Sequence, residues 1–371
     1  MALYIGLMSG TSLDGVDAAL VGFEAEGDTL DRRAHAHLDM PAALRERLLG
    51  LNTRGPDELH EAALAANALM RLYRQAVHEV LAQACVSADA VRALGAHGQT
   101  VRHRPGEFDG TGYTIQLVNG ALLAELTGID TVCDFRSRDV AAGGQGAPLT
   151  PAFHATFFGS PGQTTAVLNL GGIANLSILR PGADVIGFDC GPGNALMDAW
   201  HARHRGRPYD EGGRWAAQGA VVPALLGALR REPYFAAPPP KSTGRDLFND
   251  AWLQSHLATL GVSDRPVDVM ATLLELTAVS AIDALRTYAP DARKLWVCGG
   301  GAFNAQLMRR LSSLAPGIVV RDTATQGIAP DQVEAIAFAW LAKAFIERRP
   351  GNLPTVTGAL GPRILGALYP A

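Results

Sequence analysis

A strand–glycine turn–strand unit occurs twice in this chain, and that repeat constrains the fold most. Leu3–Met8 is a short apolar strand, Ser9–Asp17 is a polar glycine loop, and Ala18–Phe23 is a returning strand. Farther on, Ala166–Leu170 enters Gly171-Gly172-Ile173-Ala174-Asn175, and Leu176–Leu179 leaves it. Gly10 and Gly171 hold matching places, a likeness of supersecondary pattern rather than of sequence identity. After the first hairpin come a helix over Asp57–Ala84, strands Val91–Ala96 and Tyr113–Leu117, and a helix over Asn119–Leu126. After the second come strand Val185–Asp189, a helix from Asn194 to about His201, and a helical stretch Trp215–Leu229 that Pro223 breaks or kinks. Helices Asp250–Leu260 and Val269–Tyr288, strand Leu295–Cys298, a helix from Asn304 and a last helix Asp331–Ile346 complete the pattern. Hairpins mixed with strand–helix crossovers in each half predict two α/β domains with a ligand cleft between them. A chain of 371 residues has the length for two.

Composition narrows the partners. The net charge of −4 argues against nucleic acid or an anionic membrane surface. An anionic small ligand is still open, because glycine loops and helix N-termini bind anions without net positive charge. Cys85, Cys133, Cys190 and Cys298 are scattered, which reads as reduced thiols in a cytoplasmic chain. The N-terminus carries no targeting pattern, and no apolar run reaches the roughly 20 residues of a membrane span.

Three glycine loops can hold phosphate. Gly10 and Gly15 are spaced as in a P-loop, but Val16-Asp17 stands where Lys-Ser/Thr is required, so Walker-type chemistry is rejected. What is left is backbone N–H groups and hydroxyls beside Asp14 and Asp17, which can cradle phosphate and hold Mg²⁺, or simply form a capped turn. Asn169–Asn175 carries no charge and is by itself an ordinary hairpin turn. Gly299-Gly300-Gly301-Ala302-Phe303-Asn304 lies between strand and helix without dinucleotide spacing. Together the three loops point to a nucleotide held between domains.

Phe188-Asp189-Cys190-Gly191-Pro192-Gly193-Asn194 is the sharpest motif. Asp189 at the end of an apolar strand is either a partly desolvated general base or the N-cap of the following helix. His97-Gly98-Gln99-Thr100 and Asp134–Asp139 suit a polyhydroxy substrate, with arginine for a carboxylate. Each also has a bland reading, as a structural histidine and a surface ion-pair loop. Pro238–Asp246 is either a lid with cations at its tip or a rigid linker. His201-x-x-His204, and His35-x-His37 in a polar loop, read as surface histidines rather than metal ligands.

Taken in order, these motifs resemble the anhydro-N-acetylmuramic acid kinase family of the sugar kinase/Hsp70/actin superfamily. The likeness rests on Gly6–Asp17, Gly95–Thr100, Asp134–Asp139 with Gly143–Pro148, Asn169–Asn175, Phe188–Asn194, Lys241–Asp246, Gly299–Asn304 and Asn352–Ala359. It implies an α/β fold of two actin-like (ribonuclease H-like) domains with mixed sheets and an interdomain cleft. One domain would be residues 1–132 with about 350–371, the other residues 133–349. It implies an enzyme that uses ATP and Mg²⁺ to phosphorylate O6 of 1,6-anhydro-N-acetylmuramic acid while water opens the anhydro ring. The products would be N-acetylmuramic acid 6-phosphate and ADP, in peptidoglycan recycling, with a cytoplasmic homodimer as the working form. The resemblance assigns Asp189 as catalytic base and Glu334 as an aid to the water. It assigns Gly10, Thr11, Ser12, Leu13, Asp14, Gly15, Val16 and Asp17 to ATP, with Mg²⁺ near Asp14 or Asp17. Asn169, Gly171, Gly172, Gly299, Gly300, Gly301 and Asn304 complete the nucleotide set on the evidence of their loops. His97, Gln99, Arg136 and Gln145 are the substrate candidates. Cys190 departs from a threonine common in the family and puts a hydrogen bond from that side chain in question. A related sugar kinase acting on a free hydroxyl and a nucleotide-switched binding protein are the competing readings.

Overall fold

A computed structural model describes residues 1–24, 29–244, 247–260 and 265–371. The chain divides into two compact units, residues 1–157 with 332–371, and residues 158–331. The division at 158 falls later than the expected 133, and the return at Gln332 comes earlier than 350.

The first unit opens with strands β1 (Ala2–Met8), β2 (Gly15–Phe23) and β3 (Leu30–Asp39), then helices α1 (Ala42–Gly50) and α2 (Glu58–Ala84). Strand β4 (Val91–Ala96), the hairpin β5 (Gln99–Pro105) and β6 (Gly112–Leu117), helix α3 (Gly120–Thr127) and strand β7 (Thr131–Cys133) follow. Helices α4 (Ser137–Ala141) and α5 (Thr150–Phe158) close this stretch. The second unit has strands β8 (Thr165–Leu170), β9 (Ile173–Leu179) and β10 (Ile186–Pro192), then helices α6 (Ala195–Arg205), α7 (Pro223–Leu229), α8 (Pro233–Ala236), α9 (Asp250–Leu260) and α10 (Pro266–Tyr288). Strand β11 (Lys294–Cys298), helix α11 (Ala305–Leu314) and strand β12 (Val319–Asp322) end it. Helices α12 (Val333–Ile346) and α13 (Pro354–Thr357) and strand β13 (Ala367–Tyr369) belong to the first unit.

The two main sheets share one topology. In the first, the order is β3-β2-β1-β4-β7-β13, antiparallel from β3 to β1 and parallel from β1 to β7. In the second, the order is β10-β9-β8-β11-β12, again an antiparallel meander followed by two parallel strands. This is a mixed-sheet α/β arrangement in each unit, as the repeated hairpins predict.

Helix α12 shows what positions the first sheet. It is apolar around its circumference, with Ala335–Ala344 buried, as a helix enclosed on all sides must be. It lies directly on β1 and β4. A Cβ built at Gly6 would fall on the carbonyl oxygen of Ala335, and one at Gly95 on that of Phe338. Both obstacles are helix backbone, so no side-chain rotation relieves them.

Some expectations shift. The polar loop expected around His35 and His37 is instead part of edge strand β3 (Leu30–Asp39). Its alternation of buried Ala34 and Ala36 with outward polar residues is that of a strand with one solvated face. Gly15–Asp17 belong to β2 rather than to the loop, so the turn proper is Ser9–Asp14. Pro223 does not kink a longer helix; it opens α7 at its first turn, where its missing N–H costs nothing. Strand β10 runs past Asp189 to Pro192.

The α12 contact generates a stability prediction. Gly95→Ala should lower unfolding stability by about 3 kcal/mol, the upper end of overpacking costs, as read from urea denaturation midpoints.

Candidate active site

In the first unit, the β1–β2 turn is held from beneath. Leu13 plugs into the core and donates its N–H to Gly10 O at 3.2 Å. Buried Ser9 donates to Gly98 O at 3.0 Å, which leaves the Tyr73 hydroxyl to donate to Ser9 Oγ at 3.1 Å. Gln99 Nε2 donates to Gly10 O at 3.2 Å. The upper side of the turn is open. Among the described residues, the N–H groups of Thr11 and Ser12 meet no acceptor. A Cβ at Gly10 would meet nothing closer than Ser12 Oγ at 3.4 Å, so packing does not demand glycine there. Gly15 differs, because a Cβ would strike His37 and Leu38 O. Val16 is a core residue of β2.

The acidic pair is already engaged. Asp14 Oδ1 accepts the Ser12 hydroxyl at 2.6 Å and the Gly15 N–H at 3.0 Å. Asp17 Oδ1 takes His35 at 3.2 Å and His37 at 3.0 Å. Burial pushes the Asp17 carboxyl up, but the two histidine hydrogen bonds outweigh it and hold it below the ordinary carboxylate range. His37 is raised in turn, chiefly by its hydrogen bond to Asp17.

Beside the turn, His97 is buried and neutral. Its Nδ1–H donates to Gly98 O at 2.7 Å, and Nε2 accepts from Arg136 Nε at 3.1 Å and Nη2 at 2.9 Å. These bonds fix the tautomer. Burial first and the Arg136 charge second push its pKa down to about 3. Arg136 also donates to Gly146 O at 2.8 Å, so this arginine positions loops as well as carrying charge. Gly146 N–H donates to Asp139 Oδ2 at 2.7 Å, while Asp139 Oδ1 accepts Asn352 Nδ2 at 2.7 Å and the Thr357 hydroxyl at 2.8 Å. Gln145 N–H donates to Thr357 O at 2.7 Å. Gln99 Oε1 is buried with no partner among the described residues, an acceptor open to a ligand. His103 Nε2 is likewise buried without a hydrogen-bond partner among the described residues; its only signal in the sequence is proximity to His97. Glu334 stands half-buried in the first turn of α12.

The second unit carries Asp189. The pairing of β10 with β9 slips between Asp189 and Gly191, which makes Cys190 an extra residue in a β-bulge. A bulge re-aims the side chains beside it. Asp189 N–H donates to Lys241 O at 3.2 Å, its Oδ2 accepts the Thr243 N–H at 2.9 Å, and its carbonyl accepts the Tyr234 hydroxyl at 2.7 Å. The helix-capping reading fails, because Asn194 occupies the N-cap of α6. The Pro238–Asp246 segment thus seats the carboxylate. Its Lys241 Nζ turns to the carbonyls of Tyr234 and Phe235 at 3.1 and 3.2 Å. Arg245 and Asp246 lie outside the described residues. Cys190 Sγ–H donates to Ala174 O at 3.2 Å, so the donor that threonine would supply is kept. Burial pushes that thiol up to about 12.

The neutral glycine turns meet close by. Asn194 N–H donates to Gly171 O at 2.8 Å, and its Nδ2 to Leu170 O at 2.8 Å. Gly172 O accepts the Gly193 and Ala195 N–H groups at 3.0 and 3.1 Å. Gly299 (φ 78°) passes tightly over Asn169, and a Cβ there would sit 2.5 Å from Asn169 Oδ1. Gly301 packs against Leu170 and Asn194. Gly171 and Gly300 have no atom within 3.4 Å of a built Cβ, which leaves space over both turns. Asn304, expected at the nucleotide, accepts the Leu307 N–H at its Oδ1 at 3.0 Å as the cap of α11.

Comparison with known proteins settles the family. The family model for anhydro-N-acetylmuramic acid kinase matches residues 2–371. The chain belongs to that family. An anhydro-N-acetylmuramic acid kinase of Variovorax paradoxus is 59% identical, over 100% of this chain and 99% of its own. One from Cupriavidus metallidurans is 57% identical over 99% and 97%, and one from Albidiferax ferrireducens 56% over 100% and 99%. Among solved structures, the activator of 2-hydroxyisocaproyl-CoA dehydratase from Clostridium difficile matches 93% of this chain and 96% of its own, at 11% identity and TM-score 0.49.

His97 carries a pH prediction. Its pKa falls from an ordinary 6.5 to about 3 on folding, so below pH 6.5 the unfolded chain binds a proton that the native state refuses. Stability should therefore fall as pH drops from 6.5 towards 3, by about 1.4 kcal/mol per pH unit for this group. Urea unfolding of His97→Gln at pH 7, 6 and 5 should show a slope shallower by that amount.

Proposed function

We propose that this kinase couples hydrolytic opening of 1,6-anhydro-N-acetylmuramic acid to phosphorylation of O6 by ATP. The observation that carries the reading is Asp189. It is a carboxylate set on a β-bulge, oriented by the Thr243 N–H, and relieved of any capping duty. In the reaction, Asp189 takes a proton from water as the water oxygen bonds to C1. The C1–O6 bond breaks, and O6 takes the γ-phosphoryl group as ADP leaves. The sugar's own leaving oxygen is the acceptor, so one base serves both bond changes.

ATP phosphates would meet the open N–H groups of Thr11 and Ser12, with Gly10 leaving them room. Gly171, Gly172, Gly299, Gly300 and Gly301 would take the rest of the nucleotide, and His97, Gln99, Arg136 and Gln145 the sugar. The first-unit turn supplies one carboxylate suited to Mg²⁺. Asp14 is exposed and keeps oxygen capacity beyond its two internal bonds, whereas Asp17 is held by two imidazoles. Mg²⁺ brought with ATP would be bound mainly through phosphate and water. Mg²⁺ there would offset charge on the transferring phosphoryl group. Glu334 is the candidate to steady the water. No described helix is long and apolar enough to cross a membrane; a cytoplasmic homodimer completes the reading by family likeness.

Turnover in ¹⁸O-labelled water tests the reaction. A 6-phosphate labelled at C1 is the expected product. Phosphate transfer with the anhydro ring intact, or ATP loss indifferent to sugar, overturns the reading. Asp189→Asn should lower kcat by about 10³-fold or more with ATP affinity kept; near-normal turnover removes Asp189 from the mechanism. Gly10→Ala should leave stability within about 0.5 kcal/mol but weaken ATP binding about tenfold in calorimetry, because its methyl would occupy the phosphate space.

A further inference from the structure

The sheet of the second unit carries a polar row that the assignments so far use only at its two ends. Asn169 on β8 pairs with Asn175 on β9, and Asn175 pairs with Asp189 on β10. Residues directly opposed across antiparallel strands project to the same face, with Cβ atoms roughly 5 Å apart. The flanking residues Leu168, Leu170, Ala174, Leu176, Phe188 and Cys190 all join the hydrophobic core. Alternation along each strand therefore puts Asn169, Asn175 and Asp189 on the opposite face. Asn169 reaches the tight Gly299 turn at one end of the row, and Asp189 stands at the other. Asn175 is in the middle, and its Oδ1 is buried with no hydrogen-bond partner among the described residues. A buried acceptor left open costs stability unless a ligand uses it.

We propose that Asn175 positions the attacking water, its Oδ1 accepting the O–H that Asp189 does not take. This rests on the hydrolytic reading above. Water has two protons. One passes to Asp189 as the C1–O bond forms and C1–O6 breaks; the second needs an acceptor if the lone pair is to stay aimed at C1.

Methanol gives the test, since it has one O–H and can use Asp189 but not Asn175. Wild-type and Asn175→Ala enzyme would be run with Mg-ATP and the anhydro sugar in ¹⁸O-water containing methanol. The products are the C1-labelled 6-phosphate and its methyl glycoside. The ratio of methanolysis to hydrolysis should rise about tenfold in Asn175→Ala, with ATP affinity and unfolding midpoint kept. Asn175→Asp, which retains an acceptor oxygen, should stay near the wild-type ratio, and it serves on its own if the alanine variant does not fold. An unchanged ratio in folded Asn175→Ala, or a tenfold rise in Asn175→Asp, overturns the assignment of Asn175 alone. Absence of C1 label in the wild-type product overturns the hydrolytic reading itself.

Discussion

One buried carboxylate organises the loops of the first unit. Asp139 is fully buried, and a buried carboxylate needs its oxygens met by donors. It is met by Asn352 and Thr357 from the returning tail and by the Gly146 N–H from its own loop. From that point a chain of bonds runs outward. Gly146 O holds Arg136, Arg136 holds His97, His97 and Ser9 share Gly98 O, and Gln99 holds Gly10 O. The β1–β2 turn and the side chains of His97, Gln99 and Arg136 thus share one scaffold, anchored more than two hundred residues along the sequence.

The second constraint is steric. Helix α12 reaches β1 and β4 only because Gly6 and Gly95 present no side chain to its backbone. β1 ends at the β1–β2 turn and β4 at His97, so the closeness of that packing sets where both begin. The same helix carries Glu334, the proposed aid to the water, in its first turn.

Much of this was legible in the sequence where apolar patterning and glycine punctuation agree. The strands ending at Met8, Ala96 and Leu170, the long helices α2 and α10, and the doubling of the hairpin all follow from periodicity. The sequence reading missed β3, because an edge strand with one wet face looks like a polar loop when Asp31, Arg32 and Arg33 interrupt it. It stopped β10 early, because Gly-Pro-Gly reads as a turn, whereas a bulge at Cys190 lets the strand continue. The Asp139 network was invisible, since its partners are joined by folding and not by spacing. Asn175 lay in plain view inside a glycine motif. Only strand register shows that it shares a row with Asp189.

The repeated topology has a consequence for charge. In the first sheet, the rung beside the turn runs Met8, Asp17, His37, with the carboxylate on the central strand and imidazole outside it. In the second sheet, the comparable rung runs Asn169, Asn175, Asp189, with amides inside and the carboxylate on the outer strand. One architecture thus presents opposite polarities. The first copy holds its acid between two imidazoles and leaves the Thr11 and Ser12 N–H groups without an acceptor among the described residues. The second sets its acid beside uncharged amides; under the proposed function the first would face phosphate and the second a water proton.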